Sequence, residues 1–198
     1  MKKSELKQLH INEMNELTKY MEEQGYTVIN RTTSELKANL SVLFTLPIVI
    51  YLRLLYTKLW GWASFTQTEI IIIVFTLIIL FLAHEFIHAI VSALYCINKW
   101  RSIKFGISGF ISPYCHCSEP LNITHYRLIV IAPLIILGII PYLLSLLIGN
   151  LIILFCSLHM ILCASGDLLI IWLLRKGKKD ALVYDHPTAI GCLIFIKD

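Results

Sequence analysis

The run His84-Glu85-Phe86-Ile87-His88 places two imidazoles four residues apart with a carboxylate between them. On a helix, side chains four apart project to one side at about 40° to each other, so both rings can converge on one zinc ion. Glu85 then sits beside the open coordination position. There it can hold a water and take its proton, the metal having lowered the water's pKa towards neutrality. The HExxH run therefore reads as a hydrolytic zinc site with His84 and His88 as ligands and Glu85 as base. A chance match anywhere in a chain of this composition has a probability of about 0.01. Its setting adds weight, because no other acidic, basic or imidazole side chain occurs between Ile70 and Tyr95. Such groups are costly inside a membrane helix and mark function by default.

A catalytic zinc takes a third protein ligand and keeps one position open. The extended soluble pattern HExxHxxGxxH fails here, since Val91 and Leu94 stand where glycine and histidine would be. Asp167, in Ala164-Ser165-Gly166-Asp167, is the only carboxylate of the last long apolar segment. At ~1.5 Å per residue, His84 and His88 lie ~21 and ~27 Å along their segment from Ile70, and Asp167 lies ~24 Å along its own from Leu151. The two segments run in the same direction, so these depths match and Asp167 is the expected third ligand. His159 and Cys163 on the same helix, and Glu119 before it, are the alternatives. Gly166 would let the two helices approach closely.

The elements that must carry these groups are membrane helices. Of 198 residues, 57% are apolar and only 15% charged, too few to cover the surface of a soluble globule of this size. This composition excludes an ordinary cytosolic enzyme and a nucleic-acid-binding module. Apolar stretches at Leu40–Tyr56, Ile70–Tyr95, Leu128–Ile148 and Leu151–Leu174 are each near the ~20 residues that cross a bilayer. The first contains Pro47 and Arg53 and is expected to be kinked or partly re-entrant. Six Lys and Arg precede it, Lys99, Arg101, Lys104 and Arg127 separate the second and third, and five follow the fourth. The positive-inside rule then puts both termini and the 96–127 loop in the cytoplasm of a multi-pass cell-membrane protein.

Ahead of the spans, Leu6, Ile11, Met14, Leu17 and Met21 form one stripe of an amphipathic helix. No apolar signal region follows the basic start, so a retained N-terminus is expected. Between Arg101 and Pro120, Ile103, Phe105 and Ile107 alternate with polar or small residues before Gly109, Phe110, Ile111 and Pro113, a strand or hairpin pattern. Its edge could pair with the backbone of an unwound substrate. Cys115-His116-Cys117 is tighter than zinc-ligand spacing and reads as reduced cysteines. The expected architecture is an all-α membrane protein of about four transmembrane helices, with a short cytoplasmic β-hairpin-like loop and an N-terminal amphipathic helix. Its parts would be a cytoplasmic helical arm (1–37), a membrane core (38–175) and a cytoplasmic tail (176–198).

HExxH in one membrane helix and aspartate in a later one resemble the site-2 protease clan of intramembrane zinc metalloproteases. More closely, the chain from about Leu40 onward is similar to a small bacterial zincin-peptidase family, with Gly166-Asp167 and the tail residues Asp185-His186-Pro187 and Gly191-Cys192 among the shared features. The resemblance implies Zn2+ bound by His84, His88 and Asp167, Glu85 as catalytic base, and membrane proteins or peptides as substrates met in the lipid bilayer. Site-2 proteases carry aspartate-glycine in a proline-containing stretch, whereas this chain has the reverse order and no nearby proline. The rival function is a zinc-binding membrane protein without hydrolysis, which gives no reason for Glu85. A metal transporter is the third.

Overall fold

The structure is a computed structural model describing residues 3–108 and 112–197. Four helices among the described residues are long and apolar enough to cross a membrane: Glu35–Trp60, Gln67–Tyr95, Ile123–Ile148 and Leu151–Leu173. The first comprises α2 (Glu35–Leu40) and α3 (Val42–Trp60). Pro47 removes one backbone donor from α3, yet the helix runs on unbroken to Trp60. The second, α4 (Gln67–Tyr95), starts at a capping box. Thr66 Oγ1 accepts the Glu69 N–H at 3.3 Å, and Glu69 Oε2 accepts the Thr66 N–H at 2.8 Å. At ~1.5 Å per residue it is about 43 Å long, more than a ~30 Å hydrocarbon core requires.

The third helix is composite: α5 (Ile123–Pro133), a π-helical stretch (Leu134–Ile139) and α6 (Ile140–Ile148). Pro133 and Pro141 bracket the stretch and neither has an N–H to donate, so the backbone ladder re-registers between them. The fourth is α7 (Leu151–Cys163) and α8 (Ser165–Leu173), interrupted at Ala164, whose ψ of 6° leaves helical geometry. That interruption puts Asp167 in the first turn of α8, where the helix dipole favours a carboxylate.

The expectation of an all-α protein is corrected by a four-stranded antiparallel sheet of order β1-β6-β5-β4. It contains β1 (Tyr26–Thr33), β4 (Leu121–Asn122), β5 (Leu182–Asp185) and β6 (Ile190–Lys197). β1 pairs with β6 along its whole length, from Tyr26↔Lys197 to Thr33↔Ile190, so the two chain ends meet in one sheet. The N-terminal segment is therefore α1 (Lys3–Glu23) followed by a strand, not helix throughout. Side chains alternate across this sheet. Tyr184, Leu193 and Phe195 face α1, where Met14, Leu17 and Met21 of its apolar stripe cover them. Val183, Cys192 and Ile194 face the other way, onto Ile123, Tyr126, Ile129 and Leu174 at one end of the helix bundle. Gly191 is required where β6 meets β1. Its φ is +122°, and a Cβ there would lie 2.3 Å from Arg31 O.

The expected hairpin is present as β2 (Ile103–Ser108) and β3 (Ser112–Cys117), with Ile103 opposite Cys117 and Lys104 opposite His116. Gly109, Phe110 and Ile111 lie outside the described residues. Ser118 N–H bonds to Ser102 O at 2.9 Å, so alternate positions on β3 face β2. The N–H groups of Cys115 and Cys117 therefore point away from β2, towards α4 and β5.

Candidate metal centre

His84 and His88 lie on consecutive turns of α4, with ring centroids 4.9 Å apart and planes at 81°. Both Nε2 atoms face Asp167 of α8: His84 Nε2 is 3.1 Å from Oδ2, and His88 Nε2 is 3.4 Å from Oδ1. One ligand atom from each of the three residues lies within 4.8 Å of the others, a grouping that could hold a metal ion. His84 is buried, and the Asp167 and His88 side chains are only 15% and 14% exposed, so little water competes for the cluster.

The donors fit a cation better than they fit one another. His88 Nδ1 donates to Ile129 O at 2.9 Å, which leaves a lone pair on Nε2 of the neutral ring. That nitrogen lies against a carboxylate oxygen, so the pair needs either a second ring proton or a cation between its two atoms. Asp167 Oδ2, which faces His84 Nε2, is buried without a hydrogen-bond partner. An unpaired buried acceptor is costly, and a divalent cation held between the two Nε2 atoms and the carboxylate would satisfy it.

Glu85 extends from the same helix, half-buried and within electrostatic reach of His84, His88 and Asp167. Its Oε2 accepts the N–H of Cys115 from β3 at 3.1 Å. That bond fixes the carboxylate by one oxygen and leaves Oε1 for other work.

The alternative third ligands are engaged elsewhere. His159 Nδ1 donates to Phe155 O at 2.8 Å, and its ring lies against that of Phe155. Cys163 is exposed and outside the cluster. Glu119 accepts from the N–H groups of Ile97 (2.7 Å) and Asn98 (3.1 Å), from Asn98 Nδ2 (2.7 Å) and from Ser102 Oγ, tying the end of α4 to the hairpin. Burial works to raise its pKa, but the Ser102, Asn98 and Ile97 hydrogen bonds outweigh it and hold the carboxyl below the usual range. A folded-state value below the unfolded one lends stability above about pH 4.5, and that stability is lost as pH falls through the folded value. In melting curves, the parent should therefore lose more stability than Glu119→Gln between about pH 5 and pH 3. Equal losses would remove this role from Glu119.

Burial pushes the Cys115 thiol up to about 12 and Cys117 higher still, and neither belongs to the metal-capable grouping among the described residues. Cys117 Sγ lies 2.8 Å from Cys96 Sγ, and all six cysteines are free. His186 caps the β5–β6 turn, its Nδ1 accepting from the N–H groups of Thr188 and Ala189. Sequence reasoning assigns no role to four groups here: the Ile129 carbonyl, the Cys115 amide, Tyr126 and Asp185. The first two are backbone atoms without a sequence signature. Asp185 reads as part of a turn beside His186 and Pro187.

Two imidazoles and a carboxylate, with a glutamate beside them, are the functional groups of a zinc metallopeptidase. Residues 77–182 match the family described as "putative zincin peptidase", and the chain belongs to that family. Membership makes Zn2+ the cofactor. No curated protein and no solved structure matches the chain.

Proposed function

We propose that the protein is a membrane-embedded zinc metalloprotease of the site-2 protease kind, cleaving peptide bonds of membrane proteins or peptides. The observation that carries this reading is the meeting of Asp167 with both histidines of HExxH, in a chain whose family cofactor is zinc. His84, His88 and Asp167 hold the metal. Held there, zinc would supply Lewis acidity towards a scissile carbonyl and a bound water.

The chain's own groups do the rest. Glu85, pinned at Oε2, takes a proton from the attacking water at Oε1 and delivers it to the leaving amine nitrogen. His84 and His88 lie 11 and 7 residues before the end of α4, about 16 and 10 Å from it, inside the membrane near one face. The hairpin, the sheet and α1 gather at that end. Placing Lys99, Arg101, Lys104 and Arg175–Lys179 on the cytoplasmic side makes this the cytoplasmic face. Both termini are then cytoplasmic, and substrates reach the site from lipid or from that face.

The test is cleavage of a panel of single-span membrane peptides by the full chain purified in detergent. Cleavage should stop with 1,10-phenanthroline and return when zinc is restored in excess. Cleavage indifferent to the chelator would contradict the proposal.

A further inference from the structure

The groups that orient Glu85 and His88 belong to two elements, β3 and α5, and one side chain joins both. Asp185, the last residue of β5, accepts the Cys117 N–H of β3 through Oδ2 at 3.2 Å. Its Oδ1 accepts a short hydrogen bond from the Tyr126 hydroxyl of α5. Two residues back along β3, Cys115 N–H holds Glu85. Three residues on along α5, Ile129 O holds His88. Asp185 thus closes a ring of contacts running from Glu85 through β3 to β5, across to α5, and back to His88 on α4.

We propose that Asp185 is a positioning residue, which sets the placement of β3 and α5 and through them holds the Glu85 carboxylate and the His88 ring in their working orientation. The proposal rests on the metalloprotease reading and deepens it. Three features favour this role over simple anchoring. First, β3 is an edge strand, and its N–H groups at 115 and 117 have no strand partner on the far side. A carboxylate at each is what fixes that edge, and a shift at 117 carries to 115 along one rigid strand. Second, Asp185 sits at the end of β5 opposite Cys192, on the sheet's bundle-facing side, where Val183 and Cys192 are fully buried. It is therefore held by the sheet that joins both chain ends. Third, no lysine or arginine pairs with it among the described residues. His116 Nδ1 lies 3.8 Å away, beyond hydrogen-bond distance, and the Cys117 N–H and Tyr126 O–H are the donors that hold the carboxylate. A group held by supporting hydrogen bonds stays close to its productive geometry, and a displacement of about 1 Å in such a group costs about 10²-fold in rate.

The chain has six cysteines, so selective 15N-cysteine labelling of the full chain in detergent gives six backbone amide signals, assignable by single Cys→Ser variants. In the parent, the Cys115 and Cys117 amides should be displaced downfield, as for donors to carboxylates, and slow to exchange with solvent. Asp185→Ala should release the Cys117 amide and also speed exchange at Cys115 by roughly tenfold. The Cys156 and Cys163 signals on α7 should stay in place, with about one zinc per chain retained. Tyr126→Phe, a milder change, should move the same two signals by less. A Cys115 amide indifferent to Asp185→Ala overturns the proposal. So does collapse of all six signals in both variants, which would make Asp185 a folding residue. A parent that binds no zinc defeats the metalloprotease reading instead, and it is recognised from the parent alone.

Discussion

Glu85→Gln should leave the protein folded and loaded with zinc while peptide hydrolysis falls by about 10²- to 10⁴-fold. The variant keeps the shape of the side chain, and its amide oxygen can still accept the Cys115 N–H, so the hold of β3 on this position survives. It loses the ability to take a proton from water at neutral pH. None of the three metal-facing atoms is touched, since these belong to His84, His88 and Asp167. The split between retained zinc and lost turnover also separates an enzyme from a zinc-binding membrane protein, because metal holding alone has no use for a base. Turnover of a cleavable single-span peptide, measured beside zinc content, checks it. Full activity in the variant would remove Glu85 from the mechanism.

Asp167→Asn should weaken zinc binding by about 10²-fold or more, whereas Cys163→Ser and His159→Gln should leave it within about twofold. The ground is partly geometric. Asp167 alone among these three meets both histidines, while His159 is spent on Phe155 O and Cys163 points to the exterior. It is also electrostatic, because an anionic ligand strengthens the hold on a divalent ion in a site with little water, and the neutral amide of asparagine supplies no charge. Losing a direct ligand should cost at least as much as losing a supporting hydrogen bond, for which 10- to 100-fold is typical. Competition against a chelator of known zinc affinity gives the ratio. Equal zinc retention in Asp167→Asn and the parent would refute Asp167 as a ligand.

The histidine pair is legible in the sequence because its geometry is local: a spacing of four on a helix is enough to bring two rings together. Asp167 is legible at one remove, through its depth in a parallel-running span, since the crossing length of a bilayer lets two distant segments be compared. The sheet is hidden for two reasons. Its strands β1 and β6 come from opposite ends of the chain, so no short-range pattern joins Tyr26 to Lys197. The run from Cys192 to Phe195 is buried on both faces and shows none of the polar alternation that marks a half-exposed strand. The β-branched content of Tyr26–Thr33 is the one local signal that could have exposed β1. Asp185 and Tyr126 become visible as partners only once that sheet is in place. The interruption at Ala164, which delivers Asp167 to the first turn of α8, likewise has no proline to announce it.

The most direct test of the central claim, a zinc ion held by two histidines and one aspartate beside Glu85, is the zinc K-edge X-ray absorption spectrum of the purified protein. The expected result is about one zinc per chain with a first shell of nitrogen and oxygen only, near 2.0–2.1 Å, two of the scatterers showing the outer-shell pattern of imidazole. A sulfur shell near 2.3 Å would contradict it, placing the metal on cysteines and away from Asp167.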